Sequence, residues 1–494
     1  MRWTIRIRIL YQGFFLAVFL LLLWRLAAGD DRDLPYSAFH HGDPLSAIAV
    51  TLAAGTLAGA LVWALVVIAL TLLFGRVFCG WICPLGTLQQ LASWLFSPRS
   101  RRQSLQVNRY RRWYALKTYV LAALLVAALA GTLQTGLLDP LSLAARGLAS
   151  GLWPVLPGGR PVPGGWLAAL LLLAIVVASR WIPRVFCRGL CPLGALLGVF
   201  ARFAVFRIHR ASDACNSCTL CAFACQGADE PLGHHRVGEC HVCLNCLPGC
   251  PEHAMAYRAL PPLAGPPPTP DLSRRYLFGT IVGAFALAPL LRATAGGRAA
   301  ARSGLIRPPG ALAEAEFLQR CVKCSLCQQA CPTGALQPAI AQAGVEGFWT
   351  PVLVPRRGWC EFACTRCGEA CPTGAIARLT AARKTGYDGR PPVSIGTAFV
   401  DRGRCLPWAM ATPCIVCEEM CPTDPKAIWL EVVDEPGRDG AARRLQRPRV
   451  DAAKCVGCGI CENKCPVGEE AAIRVASVGE TRDPLNRLLA GGQS

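Results

Sequence analysis

Cysteine is the residue that most constrains how this chain folds. The 494 residues include 28 cysteines, and every one of them belongs to a spaced motif. An excess of this size indicates either a disulfide scaffold or metal ligation. Disulfide frameworks do not produce repeated Cys-x2-Cys-x2-Cys-x3-Cys runs, whereas iron–sulfur ligation does. The sequence therefore predicts that much of the chain folds around iron–sulfur clusters.

Twenty-four of the cysteines form six quartets, and a 4Fe–4S cluster needs four thiolates, so we expect six such clusters. The first two quartets are Cys215, Cys218, Cys221, Cys225 and Cys240, Cys243, Cys246, Cys250. The other four are Cys321, Cys324, Cys327, Cys331; Cys360, Cys364, Cys367, Cys371; Cys405, Cys414, Cys417, Cys421; and Cys455, Cys458, Cys461, Cys465. A mononuclear zinc site takes four ligands rather than eight interleaved ones, which disfavours zinc.

In the bacterial two-cluster ferredoxin pattern, the fourth cysteine of each run ligates the other cluster. For the first two quartets, this rule exchanges Cys225 and Cys250. For the last four it predicts a nested arrangement, in which the outer quartets exchange their fourth cysteines and the two middle quartets do the same. Short apolar pieces after the prolines, such as Ala335-Leu336, Ala375-Ile376 and Ala427-Ile428, are typical of the β-strands that wrap ferredoxin clusters.

The formal net charge of +20 overstates how basic the loaded protein is. Four thiolates around an oxidised 4Fe–4S core leave about −2 per site, so six sites remove about 12 units. Much of the remaining positive charge is arginine in loops beside apolar segments. Nucleic-acid binding is therefore not implied.

Hydrophobic residues make up 53% of the chain and charged residues 17%, which fits a membrane part joined to water-soluble parts. Four apolar runs predict membrane spans at residues 9–24, 48–74, 118–138 and 161–179. In the second run, Gly55 and Gly59 have the spacing that lets helices approach closely. The segment 75–112 holds seven arginines and no acid, which places it and the N-terminus in the cytoplasm. The predicted spans contain no histidine, so a haem held by paired histidines is not supported.

The remaining four cysteines lie in an internal repeat. Residues 76–86 read Arg-Val-Phe-Cys-Gly-Trp-Ile-Cys-Pro-Leu-Gly, and residues 184–194 read Arg-Val-Phe-Cys-Arg-Gly-Leu-Cys-Pro-Leu-Gly. One interpretation is a duplicated packing motif, in which each cysteine is a small buried hydrophobe. The other is a redox or metal site assembled from both repeats, with a further metal or cluster bound there. This candidate site consists of Cys79, Cys83, Cys187 and Cys191.

Past the middle of the chain, Ser273-Arg274-Arg275-Tyr276-Leu277-Phe278 precedes an apolar run to Leu291. Paired arginines before a modest apolar segment resemble a twin-arginine export signal. Clusters are inserted in the cytoplasm, so a domain that carries them has to cross the membrane folded, as this route allows. Ala293-Thr294-Ala295 resembles a cleavage site, but cleavage would sever the chain, which favours an uncleaved anchor.

These observations predict a mixed fold in four parts. Residues 1–205 form a four-helix transmembrane domain, and residues 206–260 form a cytoplasmic two-cluster ferredoxin of the α+β class. Residues 261–302 form a linker and a fifth membrane helix. Residues 303–494 form a periplasmic four-cluster ferredoxin of the same class. The protein is then a multi-pass protein of the inner membrane.

The first 260 residues resemble NapH-type membrane ferredoxins, on the four spans, the two Cys-x3-Cys-Pro motifs and the first two quartets. Residues 273–480 resemble NapG-type or MauM-type exported ferredoxins, including Ile306-Arg307-Pro308-Pro309-Gly310-Ala311 before the first exported quartet. These are usually separate proteins, whereas here they are fused. The resemblance implies electron transfer from membrane quinol toward a periplasmic oxidoreductase such as nitrate reductase. The alternative is a membrane-bound reductase of a metal or cofactor, acting in the maturation of a partner enzyme.

Overall fold

The computed structural model describes residues 2–29, 35–56, 59–95, 100–152, 165–232, 235–260, 272–296, 305–436 and 442–486. Contacts divide the chain into two compact units. The first comprises Met1–Pro161, Gly165–Leu291 and Gln319–Cys324, and the second comprises Val162–Gly164, Arg292–Leu318 and Ser325–Ser494. The linker at residues 261–270 lies outside the described residues.

The first unit is mainly helical. Its helices are α1 (Arg2–Ala28), α2 (Ala38–His41), α3 (Pro44–Ala54), α4 (Ala64–Phe74), α5 (Pro84–Leu95), α6 (Arg101–Asn108), α7 (Leu116–Leu129), α8 (Pro140–Leu152), α9 (Trp166–Ala178), α10 (Val185–Gly189), α11 (Pro192–Ala201), α12 (Leu220–Phe223) and α13 (Arg274–Gly296). Among the described residues, two helical stretches are long and apolar enough to cross a membrane, Trp3–Ala28 and Arg112–Leu129. The other apolar helices α3, α4, α9 and α11 have only 10 to 17 residues.

The expectation of a continuous helix over residues 48–74 is wrong. Helix α3 ends at Gly55, which adopts a left-handed φ of 67°, and a 3-10 turn at Gly59–Trp63 precedes α4. Glycine takes this conformation without steric cost and so ends a helix readily. A side chain added at Gly55 or Gly59 would meet nothing within 4 Å, so these glycines do not serve close helix packing.

The third and fourth predicted spans also differ from the structure. Helix α7 ends at Leu129, and a turn with a 3-10 segment at Thr135–Leu137 follows it. Helix α9 has 13 residues, fewer than the ~20 that cross a bilayer upright. Residues 161–164 of that prediction lie outside the described residues. In the described part of this domain, long helices alternate with half-length ones, and the four-span domain stays a prediction.

The half-length helices share a start sequence that the sequence analysis missed. Helices α3 and α8 both begin at the proline of an Asp-Pro-Leu-Ser sequence, at Asp43–Ser46 and Asp139–Ser142. Helices α5 and α11 both begin at the proline of the Cys-Pro-Leu-Gly of the cysteine repeat. Proline fits the first helical turn because that amide has no partner there, and the residue before it can cap the helix. Each half of the repeat therefore carries one aspartate-capped and one cysteine-capped helix.

The rest of the first unit is a small ferredoxin-like lobe. Strand β1 (Phe206–Arg210) pairs antiparallel with β2 (Met255–Ala259), with Phe206 opposite Ala259. Ile208, Met255 and Cys221 form its buried core. The loops with the first two quartets run between the two strands.

The second unit contains helices α14 (Glu314–Arg320, which ends in the first unit), α15 (Leu326–Ala330), α16 (Arg366–Glu369), α17 (Ala381–Thr385), α18 (Leu406–Ala409), α19 (Val416–Glu419) and α20 (Ile460–Lys464). Three antiparallel pairs join β3 (Leu336–Pro338) to β4 (Pro351–Leu353), β5 (Thr397–Val400) to β8 (Ile473–Ala476), and β6 (Ile428–Pro436) to β7 (Ala442–Val450). The strands predicted at Leu336 and Ile428 are confirmed. Ile376 forms only an isolated bridge with Ala311.

A buried ion pair organises the start of the second unit. The fully buried guanidinium of Arg307 donates to both carboxyl oxygens of Glu314, at 3.1 and 2.6 Å, and to the Pro351 carbonyl at 2.8 Å. Arg482, near the C-terminus, donates to the same carboxylate at 2.7 Å. Burial alone raises the pKa of Glu314, but the two guanidinium groups outweigh it and lower the pKa to about 2.

Candidate iron–sulfur centres

Four of the six quartets share one loop conformation. The residues on both sides of the second cysteine have positive φ in each of them: Ser217 and Thr219, Val242 and Leu244, Lys323 and Ser325, and Gly457 and Gly459. Non-glycine residues adopt this conformation at a steric cost, and such strain concentrates at functional sites. All four have the regular Cys-x2-Cys-x2-Cys spacing. At the two irregular quartets, Thr365 and Ile415 have φ values of −119° and −122°.

The cross-ligation expected for the first two quartets agrees with the structure. One small cavity is lined by Cys215, Cys218, Cys221 and Cys250. Burial raises the pKa of the Cys246 thiol, and the thiols of Cys243 and Cys225 raise it further. Cys250 therefore lies with the first three cysteines of the first run, and Cys225 lies near Cys243 and Cys246 of the second, as cross-ligation of two 4Fe–4S clusters requires.

The nested arrangement predicted for the last four quartets is wrong. Cys421 lines one cavity together with Cys455, Cys458 and Cys461. Cys465 lines another together with Cys405, Cys414 and Cys417. The third and fourth of these quartets thus exchange their last cysteines with each other. They form a consecutive two-cluster unit rather than the ends of a nested one.

The second exported quartet follows the same consecutive rule. Burial raises the pKa of the Cys367 thiol, and the thiols of Cys360, Cys364 and Cys331 raise it further. Cys331 of the first exported quartet therefore lies with the second quartet. The chain order alone does not distinguish consecutive from nested exchange, because both satisfy the same cross-ligation rule.

The two consecutive pairs in the second unit are in direct contact. The Cys360 amide donates a hydrogen bond of 2.8 Å to the Cys458 carbonyl. Cys360 and Cys458 also line one hollow with Phe362 and Val456. Cluster ligands of different pairs are thus joined through a single backbone hydrogen bond.

The donors around the thiols fit iron–sulfur clusters. The amides of Ile376, Ala398 and Ala472 each donate at 3.4 Å to a cysteine sulfur, of Cys371, Cys455 and Cys465 respectively. The buried Lys384 donates to Cys360 Sγ at 3.2 Å. Hydrogen bonds to the sulfurs stabilise the thiolate charge and help to set the cluster potential. When bound, each cluster supplies one-electron redox chemistry.

The four cysteines of the repeat lie together in the first unit. All four are buried. Burial raises the pKa of the Cys191 thiol, and the thiols of Cys187, Cys79 and Cys83 raise it further. Cys191 caps helix α11 by accepting from the Gly194 amide at 3.2 Å. The structure thus brings both repeats to one place, as the sequence predicts for a shared site.

Two buried arginines cross between the repeats at this site. Arg184 Nη1 of the second repeat donates to the Cys79 carbonyl of the first at 3.1 Å. A Cβ added to Gly194 of the second repeat would lie 2.7 Å from Arg76 Nη2 of the first. Both guanidinium groups are almost fully buried. The two guanidinium groups lower the pKa of the Cys187 thiol, but burial outweighs them and the pKa stays above its ordinary value.

The neighbouring ferredoxin loop packs directly onto the first Cys-x3-Cys motif. A Cβ added to Gly80 would lie 2.1 Å from the His241 carbonyl oxygen, so only glycine fits there. Trp81 Nε1 donates to the Val242 carbonyl at 2.9 Å. Cys243, a predicted cluster ligand, follows Val242 directly. The four-cysteine site and the cluster loop are therefore adjacent.

The sequence analysis missed the residues that surround the thiols. Lys384, Arg76 and Arg184 are charged side chains in a basic chain, and nothing in the composition separates them from surface charges. The repeat carried a signal for two of them, because Arg76 and Arg184 stand at equivalent positions three residues before a cysteine.

Within the described residues, no three His, Cys, Asp or Glu side chains lie close enough to hold a single metal ion.

Comparison with known families supports the cluster motifs. A model described as a 4Fe–4S binding domain matches residues 56–103 and again 164–211, which are the two halves of the cysteine repeat. Two further 4Fe–4S binding models match residues 318–337 and 447–473. No solved structure matches the chain.

Curated relatives decide the family. The methylamine utilization ferredoxin-type protein MauM of Methylorubrum extorquens is 40% identical over 196 residues, which are 38% of this chain and 82% of the relative. The ferredoxin-type protein NapG of Escherichia coli is 36% identical over 34% of this chain and 69% of its own length. The chain belongs to the MauM and NapG family of ferredoxin-type proteins.

A further relative is a ferredoxin-type protein of a different name, NapH. The ferredoxin-type protein NapH of Escherichia coli is 34% identical over 205 residues, which are 40% of this chain and 65% of NapH. The chain is thus a ferredoxin-type iron–sulfur protein with relatives of both the MauM/NapG and the NapH kinds.

Proposed function

We propose that this protein carries electrons from membrane quinol to a periplasmic oxidoreductase through 4Fe–4S clusters. The observation that carries the proposal is the hydrogen bond between the Cys360 amide and the Cys458 carbonyl. It joins ligands of the second and fourth exported quartets, so that the cluster sites of the second unit lie in series. Redox clusters in series suit electron transfer, since the protein supplies their position and electrostatics.

The architecture we propose is a fusion of a NapH-type part and a MauM/NapG-type part, with six clusters in total. Helix α13 is the membrane anchor between them and carries the internal twin-arginine signal at Arg274 and Arg275. In support, α13 is continuous over 23 residues, and Tyr276, Phe278 and Phe285 on it are each at least 67% exposed. Such an apolar surface is expected of a helix that faces lipid. The two cytoplasmic clusters and the four periplasmic ones then lie on opposite sides of the membrane.

We also assign a redox role to Cys79, Cys83, Cys187 and Cys191. They lie beside the loop of Cys243, so electrons can pass between these thiols and a cytoplasmic cluster. Two buried guanidinium groups offset the negative charge that such a site holds when it is metallated. By the consecutive exchange rule, Cys371 completes the cluster of Cys321, Cys324 and Cys327.

The test begins with cluster content and a quinol donor. Anaerobically purified full-length protein should contain about 24 iron and 24 sulfide per chain, as six 4Fe–4S clusters require. A reduced quinone analogue should bleach the cluster absorbance. Iron near 8 per chain would contradict the assignment of the second unit. Absence of bleaching by any quinol, in protein that dithionite reduces, would refute the quinol donor.

The relatives indicate the general class of the electron acceptor but not its identity. One set of relatives is named for methylamine utilization, and the resemblance to NapG implies a nitrate-reductase-like partner. We propose a periplasmic oxidoreductase that receives electrons from the second unit. Oxidation of the reduced protein by a purified periplasmic enzyme, and by no cytoplasmic one, is the expected result.

A further inference from the structure

A second buried constellation of the first unit has no role in the cluster sites. The caps of helices α3 and α8, Asp43 and Asp139, are both fully buried and within hydrogen-bonding reach of each other. Asp43 accepts from the Leu45 and Ser46 amides at 3.0 and 3.1 Å, and Asp139 accepts from the Ser142 amide at 2.7 Å. The Ser142 hydroxyl and the Asp43 carboxyl are also within hydrogen-bonding reach of Asp139, and no backbone N–H of the described residues reaches its Oδ1.

Two buried carboxyl groups within hydrogen-bonding reach of each other cannot both be ionised. Burial and the neighbouring Asp139 raise the pKa of Asp43 well above its ordinary value, and burial raises that of Asp139. The pair therefore holds one proton between its two members and has room for a second. The buried guanidinium of Arg146 balances the remaining negative charge.

His40 lies near this constellation, because Arg146 is within electrostatic reach of both its ring and Asp139. Its ring is 2% exposed, and neither ring nitrogen has a hydrogen-bond partner. Burial lowers the pKa of His40 to about 3, with further lowering by His41 and Arg146, so the imidazole is neutral. A neutral imidazole has one acceptor nitrogen and one donor. An unpartnered buried ring is costly, so a ligand that bonds to it is favoured.

The constellation lies beside two redox sites of the first unit. Arg146 Nη1 donates to the Lys323 carbonyl at 3.1 Å, directly before the predicted cluster ligand Cys324. A Cβ added to Gly136, near Asp139, would lie 1.8 Å from the Val322 carbonyl oxygen, so the 322–324 segment packs tightly here. Asp139 is also within electrostatic reach of Cys83.

We propose that His40, Asp43 and Asp139 form the site where the hydroxyl groups of a quinol are bound and deprotonated. The inference rests on the proposed quinol donor and locates it. A quinol presents two O–H donors, and the carboxylate oxygens of Asp139, which have more lone pairs than donors around them, and the His40 nitrogen are acceptors for them. No other described group of the constellation combines burial with an unused acceptor that can also take up a proton.

The reaction balances over these groups. Both O–H bonds of the quinol break, and it is oxidised to the quinone by loss of two electrons and two protons. The first proton goes to the Asp43–Asp139 pair, which is the stronger base. The loss of one electron makes the remaining hydroxyl more acidic, so the weaker base His40 accepts the second proton. The two electrons would be taken up one at a time by the 4Fe–4S cluster that Cys324 would help to hold, since such a cluster supplies one-electron redox chemistry.

Conservative variants test the site in the full-length, cluster-loaded protein. Asp139→Asn retains the helix cap, because asparagine caps as well as aspartate, and His40→Gln is uncharged like the neutral ring. Each should slow quinol-driven cluster bleaching by about 100-fold, the lower end of general-base effects. Iron content and reduction by dithionite should match those of the wild type. The adjacent His41→Gln is the matched control and should keep the wild-type rate.

The outcomes separate this inference from the proposed function. Wild-type quinol rates in both Asp139→Asn and His40→Gln would overturn the site while leaving the quinol donor intact. A wild-type protein that dithionite reduces but quinol does not would overturn both. Photolabelling of the wild-type protein with an azidoquinone gives a readout independent of activity. Label on residues 35–56 or 132–146 is expected, and label confined to the Cys79 and Cys187 motifs would overturn the site.

Discussion

Lys384 should raise the reduction potential of the cluster held by Cys360, Cys364, Cys367 and Cys331. Its ammonium group lies 3.2 Å from Cys360 Sγ and donates to the carbonyl oxygens of Glu361 and Cys364 at 2.6 and 2.7 Å. The side chain is buried, with 6% exposure, so solvent screens it little. Reduction adds a negative charge to the cluster, which a nearby positive charge stabilises.

The size of the effect follows from Coulomb's law. A charge about 6 Å from the cluster centre, at an effective dielectric constant of about 20, contributes about 3 kcal/mol. Since tenfold in an equilibrium is about 1.4 kcal/mol, or 59 mV for one electron, this corresponds to about 120 mV. Lys384→Met should therefore lower the potential by roughly 60 to 120 mV, allowing for partial relaxation around the site. Lys384→Arg retains the charge and should shift the potential less.

An EPR-monitored potentiometric titration measures the shift. Cys331→Ser identifies the signal, since that cysteine lies with the affected quartet. Lys454→Met is the matched control, because Lys454 precedes Cys455 but is 46% exposed and paired with Asp451 at 3.0 Å. Its removal should change the neighbouring potential only slightly. A shift below about 20 mV in Lys384→Met, with full iron content, would refute the electrostatic argument.

Three further predictions concern ligation, stability and export. Cys465→Ser should damage the cluster of Cys405, Cys414 and Cys417, as seen by EPR. Loss of the cluster of Cys321, Cys324 and Cys327 instead would support the nested arrangement. Glu314→Gln should destabilise the second unit by about 3 kcal/mol at pH 7, because folding lowers the pKa of Glu314 from 4.5 to about 2. This stabilisation is fully present above the unfolded pKa and is lost as the pH falls toward 2. An unchanged thermal transition at pH 7 would contradict this. Replacing Arg274 and Arg275 by lysine should leave residues 303–494 in the cytoplasm, and unchanged protease exposure in spheroplasts would exclude an export role.

Local chemistry determined much of this protein at the level of sequence. Cysteine is the usual cluster ligand and the quartets follow a recurring spacing, so 24 candidate ligands can be predicted from the sequence. The duplicated Arg-Val-Phe-Cys motif likewise predicted either a shared site or a repeated packing motif. The short strands at Leu336 and Ile428 followed from their positions after the quartets.

Tertiary structure alone decided which loops face each other. Consecutive and nested exchange use the same cysteines and differ only in packing, and the structure places Cys421 with Cys455. The helix end at Gly55 also could not be predicted from the sequence. An uninterrupted apolar run has the length and composition of a membrane span whether or not the helix ends within it. The partners of Lys384 and Asp139 lie on other loops and helices, and the fold alone buries this lysine beside Cys360 and this helix cap beside Asp43. A charge is screened in water but felt strongly in a buried site, and burial is a property of the fold rather than of the residue.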